Sequence, residues 1–165
     1  MTQLSLLKKN ENVPLKTCAF TGHRQLGEDC FINSLEQTLR SLIDEGVEFF
    51  YNGMAMGFDL LCAECVLSLK EEFPKIKLIA CLPCYGQERN YSEKDKQRYV
   101  NILKRADESI LLSETYFQGC MLVRDRYMAD KADILIAYKR KSVGGTAYTV
   151  NYFQKNYPER KIIFL

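Results

Sequence analysis

The stretch TCAFTGHR, residues 17–24, sets a strand-like run directly against a glycine, the chain's single histidine and an arginine. From Leu15 to Thr21 the run has no sustained apolar–polar alternation, which suits a strand covered on both faces. Glycine next allows a tight turn. His23 and Arg24 then place hydrogen-bond donors where the chain leaves the strand, and Arg grips phosphate or carboxylate through two parallel donors.

The same grammar repeats downstream. Phe31, Leu35, Leu39, Leu42 and Ile43 recur at helical spacing, and Gly46 stops that helix. VEFFYNG (47–53) reads as a second strand, followed by a helix from about Phe58 to Glu72 that Pro74 ends. KIKLIACLP (75–83) is a third strand, closed by Pro83. Ser92 and Asp95 form a capping-box pattern for a helix reaching about Ala106. SILLS, a helix over about Cys120 to Lys131, DILIAY, a helix in GGTAYTVNYFQKN and KIIFL complete the chain. Buried runs alternating with amphipathic helices predict a single α/β domain over 15–165, with a mainly parallel sheet of five to six strands and helices on both faces. A polar leader, 1–14, precedes it.

Composition narrows the function. The 165 residues suit one domain, and 47% hydrophobic and 12% aromatic content supports a packed core. With 23 basic against 21 acidic residues the net charge is +2, which argues against a nucleic-acid partner; KRK, 139–141, reads as a solvated loop. No apolar run approaches the ~20 residues that span a bilayer, and the first residues lack a signal-peptide core, so the expected location is cytoplasmic and no membrane partner is expected. Cys62-x-x-Cys65 and Cys81-x-x-Cys84 have the spacing of a four-cysteine zinc site. The first pair falls inside a helical pattern and Cys81 ends a strand, so buried thiols are the expectation; no metal and no cofactor are predicted.

In a parallel sheet, ligands sit beyond the carboxyl ends of the strands. Four strand-to-helix loops stand out: Thr21–Arg24, Tyr51–Asp59, Cys81–Arg89 and Lys141–Thr149, which together hold six of the nine glycines. Gly-rich turns feeding helix starts bring bare amides and a partial positive charge to an anion, phosphate above all. Asp59 and Glu64 are separated by about 140° of helix rotation, so a shared proton between them is not expected. Asp59 reads as a cap or a bond to its own loop, and Glu64 as the first candidate for a sugar hydroxyl.

FTGHR (20–24), GMAMGFDLLCAE (53–64), RDRYMAD (124–130) and GGTAYTV (144–150), in this order, resemble the YpsA-like group of the SLOG superfamily over residues 15–165. The resemblance implies a Rossmann-like three-layer domain that binds a phosphorylated nucleotide or nucleotide-derived small molecule, as a sensor or binding module. Its pocket would be Thr21, Gly22, His23, Arg24, Gly53, Met54, Gly57, Asp59, Pro83, Arg124, Gly144, Gly145 and Thr146. More distant relatives, the Lonely Guy phosphoribohydrolases and DprA, imply two alternatives: hydrolysis of the N-glycosidic bond of a nucleoside 5′-monophosphate, with Arg124 and Glu64 as catalytic candidates, or binding of single-stranded DNA. Against the hydrolase motif, Gly144, Gly145 and Thr149 match the phosphate cradle and Arg124 the helix arginine. Val143 replaces its proline, and Val150 and Asn151 stand where its glutamate is expected; an amide cannot take a proton at neutral pH. Such relatives also associate, which leaves a homo-oligomer open with no surface assigned to it.

Overall fold

A computed structural model describes residues 15–27 and 32–165; the leader and Phe31 lie outside the described residues. In chain order the elements are β1 (Thr17–Gly22), α1 (Ile32–Asp44), β2 (Phe49–Asn52), α2 (Phe58–Glu72), β3 (Lys77–Leu82), a 3₁₀ turn (Gln87–Asn90), α3 (Glu93–Arg105), β4 (Glu108–Leu111), α4 (Cys120–Lys131), β5 (Ile134–Tyr138), α5 (Gly145–Asn156) and β6 (Lys161–Phe164).

Local chemistry accounts for several boundaries. Leu35, Leu39 and Leu42 form the buried stripe of α1, and Gly46 ends it at φ +109°, where the Val47 amide turns back to the Leu42 carbonyl at 2.9 Å. The hydroxyl of Ser92 accepts the Asp95 amide at 3.2 Å and starts α3.

All six strands are parallel, in the order β4-β3-β2-β1-β5-β6. In register, Cys18 lies opposite Phe50 on one side and Ile134 on the other. The pleat then divides the core. Cys18, Phe20, Phe50, Leu78 and Ile136 pack with α1, α2 and α3 residues such as Leu39, Phe58 and Ile102, while Ala19, Ile79, Cys81, Leu135 and Ala137 pack with Met128, Val150 and Phe153 of α4 and α5. Two faces covered by helices make three layers.

The order of the strands explains which helices share a face. From β1 to β4 the chain steps steadily across the sheet, and right-handed crossovers keep α1 to α3 on one side. It then returns past β1 to β5, which carries α4 and α5 to the other side. The direction of stepping therefore reverses between β1 and β5, and their carboxyl ends part there to leave a crevice. Among the described residues no helix is long and apolar enough to cross a membrane.

Candidate functional site at the carboxyl end of the sheet

The crevice holds a cavity of about 250 Å³. From β1 and the loop after it come Thr21, Gly22, His23 and Arg24; the start of α2 brings Asp59, α4 brings Arg124, and the first residues of α5 bring Gly145 and Thr146. Residues from four separate stretches of sequence thus meet on one rim.

The loop after β2 is clasped from inside. Asn52 donates its side-chain amide to the Asp59 carbonyl at 2.8 Å and accepts the Met54 amide at 2.8 Å. Met54 is fully buried at φ +61°, a conformation that non-glycine residues rarely adopt, and the Tyr91 hydroxyl donates to its carbonyl at 3.0 Å. This clasp aims Asp59 into the cavity. One carboxylate oxygen, Oδ2, accepts the Ala55 amide at 3.2 Å. Burial pushes the Asp59 pKa up to about 7; the neighbouring Arg124 opposes that rise and Asp125 adds to it.

Arg124 is 5% exposed and is anchored on three groups. Its Nε donates to Asp125 at 2.7 Å, and its Nη1 donates to the Gly53 carbonyl and to Gln87. Nη2 has no protein acceptor among the described residues. Asp125 therefore orients Arg124 and shares its charge, while one guanidinium nitrogen remains for the cavity.

His23 serves as an acceptor. Its Nε2 takes the Arg140 amide at 2.7 Å, so the ring is neutral with its proton on Nδ1, and its edge meets Tyr138. Burial, Lys141 and Arg140 all lower its pKa. His23 thereby holds the start of the loop that carries Gly144 and Gly145.

The glycines expected to bare their amides fall into two groups. A Cβ on Gly22 would come within 2.3 Å of the Phe58 ring, one on Gly53 within 2.9 Å of the Arg124 guanidinium, and one on Gly57 within 2.2 Å of the Arg24 carbonyl. Their missing side chains make room for protein, which corrects the expectation that they clear space for a ligand. Gly144, at φ +101°, and Gly145 have nothing within 4 Å of that position. The helix that follows them has no side-chain cap, and Gly145 and Thr146 line the cavity.

Other expected site residues lie off the cavity wall. Glu64 is paired with Arg98 of α3, one helix turn beyond Asp59, and so faces away from the sugar position assigned to it. Pro83 and Met54 are buried, and Gly53 and Gly57 stand behind the wall. Missing from the sequence reading were Asp125, which orients Arg124, Asn52, which clasps the loop, and the apolar wall of Phe20, Met121 and Leu122. The adjacency of Arg124 and Asp125 in RDRYMAD and the Asn-Gly pair of YNGM were the available signals. The charged segment after β3 packs behind the wall: Gln87 donates to the Gly53 carbonyl at 3.2 Å.

Cys62 packs in the core on one side of the sheet and Cys81 in the core on the other, so the two Cys-x-x-Cys pairs do not converge. Cys84 is also buried, and burial beside Cys120 raises its pKa, the opposite of a reactive thiol. The tyrosines of α5 and the one just past its end tie it to α4: Tyr152 and Tyr157 both donate to Asp130, at 2.8 and 2.6 Å, and Arg126 donates to Tyr148 at 2.8 Å.

A parallel Rossmann-like sheet with a cavity at its reversal point, lined by charged and apolar groups, defines the class of the molecule. The model of the YspA SLOG family matches residues 18–164, and the chain belongs to that family. It is 30% identical over 125 residues to a UPF0398 protein of Bacillus velezensis, covering 74% of this chain and 69% of that one. With the UPF0398 protein YpsA of Bacillus subtilis it shares 27% over 125 residues, covering 74% and 69%. Among solved structures, DNA processing protein A of Streptococcus pneumoniae superposes with a TM-score of 0.66 at 20% identity, over 98% of this chain and 52% of that one. The Helicobacter pylori protein of the same name, described for its single-stranded DNA binding mode, superposes at 0.64 and 20%, over 94% and 67%. This chain thus spans about half of the pneumococcal protein, and the likeness is one of fold.

Proposed function

We propose that the protein binds a phosphorylated nucleotide or nucleotide-derived small molecule in the cavity at the β1–β5 reversal and acts as a sensor or binding module. The observation that carries this reading is the start of α5. Its first turn has no side-chain cap, its two glycines face open space, and it points into the same cavity as Arg24 and Arg124. Free amides and the helix dipole would take two or three phosphate oxygens, and the two guanidinium groups would balance the charge.

The hydrolase alternative is the less supported reading: where its motif places a glutamate, Val150 is buried and Asn151 is exposed, so α5 does not supply that acid or base.

Thermal denaturation in the presence of inorganic phosphate, nucleoside mono- and diphosphates and dinucleotides tests this. A ligand at 100 times its dissociation constant adds about 2.7 kcal/mol of stability. The response should disappear in Gly145→Asp, which seats a carboxylate of the protein's own where the phosphate would lie. Absence of any shift with every phosphorylated compound would overturn the proposal.

A further inference from the structure

The cavity lining carries both signs of charge: the uncapped start of α5, Arg24 and Arg124 attract an anion, while Asp59 and Asp125 repel one. A ligand that touches both sets must therefore carry its charge in one part and neutral donors in another.

Asp59 has the means to receive those donors. It is 6% exposed and lines the cavity. Its Oδ2 accepts a single amide, from Ala55, and its Oδ1 has no hydrogen-bond partner among the described residues. Since no fully buried side-chain oxygen or nitrogen among those residues is left unsatisfied, Oδ1 opens onto the cavity. Arg124 does not fill this need: among the described residues its hydrogen bonds go to Asp125, Gly53 and Gln87, and none goes to Asp59. The cavity, at about 250 Å³, has room for a phosphorylated pentose.

Resting on the phosphate seat proposed above, we infer that Asp59 is the specificity residue for the sugar: its free carboxylate oxygen accepts hydroxyl protons of a ribose whose 5-phosphate sits at the start of α5. The site then selects ribose-type over 2-deoxyribose-type phosphates, and the base or any further group projects from the cavity mouth. Burial raises the Asp59 pKa, and hydroxyl protons donated by a bound sugar would favour its charged form.

The test uses ribose 5-phosphate and 2-deoxyribose 5-phosphate, titrated by NMR into the wild-type chain and into Asp59→Ala, Asp59→Asn and Gly145→Asp, with amide spectra reporting that each variant is folded. Wild type is expected to favour the ribose compound by about tenfold or more, the scale of a hydrogen bond to a charged group. Asp59→Ala is expected to bind the two alike while retaining affinity for the deoxy compound, and Asp59→Asn to keep only part of the preference. Equal wild-type binding of both sugars, abolished by Gly145→Asp, would overturn the role of Asp59 and leave the phosphate seat standing. A preference that survives in Asp59→Ala would likewise overturn it. Failure of both sugar phosphates, with binding only of compounds that carry a base irrespective of the sugar, would overturn the sugar assignment; failure of every phosphorylated compound would remove the phosphate seat with it.

Discussion

The two ends of the sheet use carboxylates in opposite ways. At the amino end, Asp133 turns one oxygen to β1, where Oδ2 accepts the amides of Lys16 and Thr17 at 3.0 and 3.1 Å and the Thr17 hydroxyl at 2.9 Å. Nearby, Asp107 accepts the Leu78 amide at 2.9 Å and pairs with Lys70. At the carboxyl end, Asp59 is more deeply buried and accepts one amide. Carboxylates rich in donors close the fold; one left short of donors beside a cavity is a group held for something else.

Ionisation makes the contrast measurable. Burial alone would raise the pKa of Asp107, but Lys70, the Leu78 amide and Lys77 outweigh it and hold it below the ordinary carboxylate value. That contribution to stability is present at neutral pH and fades as acid protonates the folded-state group. Asp59 runs the other way. Its folded pKa lies above its unfolded one, so its contribution is greatest in acid and is lost as pH rises through about 7.

The largest effect on stability should come from the amino end. Asp133→Ala takes the acceptor from two backbone amides, while the Thr17 hydroxyl keeps the Lys131 carbonyl, and should cost about 2–3 kcal/mol in denaturant unfolding, with phosphate binding unchanged. Next, Asp59→Asn should stabilise the chain, and by on the order of 2 kcal/mol more at pH 8 than at pH 5, since each pKa unit corresponds to about 1.4 kcal/mol. Melting curves at the two pH values check this; equal shifts would erase the contrast between the ends. Gly145→Asp should gain about 0.3–1 kcal/mol from an acid at a helix start while losing phosphate binding. The smallest effect concerns His23: its lowered pKa means that its acceptor role is intact above about 6.5, its unfolded value, and fades as pH falls below it. Hydrogen exchange of the Arg140 amide should then be less protected at pH 5 than at pH 7, after correction for intrinsic rates.

Much of the fold was legible in residue order. The second and fourth helices run over Phe58–Glu72 and Cys120–Lys131, as their residue pattern predicts, and every strand end lies within two residues of expectation. Helix periodicity, Gly46 and the Ser92 cap are local signals, read within a turn or two of chain. The candidate site was legible only in part. Thr21, Gly22, His23, Arg24, Asp59, Arg124, Gly145 and Thr146 do come together, because the carboxyl ends of parallel strands lie on one rim. Glu64 was misplaced: a few residues of helix rotation turn it toward Arg98, a partner contributed by another helix.

The kind and sequence of elements follow from residue order alone, since apolar period, caps and turn residues act over neighbouring positions. What each glycine and carboxylate is for does not. Gly22 and Gly144 look alike in a strand-to-helix loop; Phe58 fills the space beside one, and nothing fills the space beside the other. Asp59 and Asp133 differ in the same manner, by the number of donors that distant segments bring within reach. Such differences arise only when chain segments far apart in sequence are packed together, because short-range contacts decide them and the fold alone decides which groups are in range.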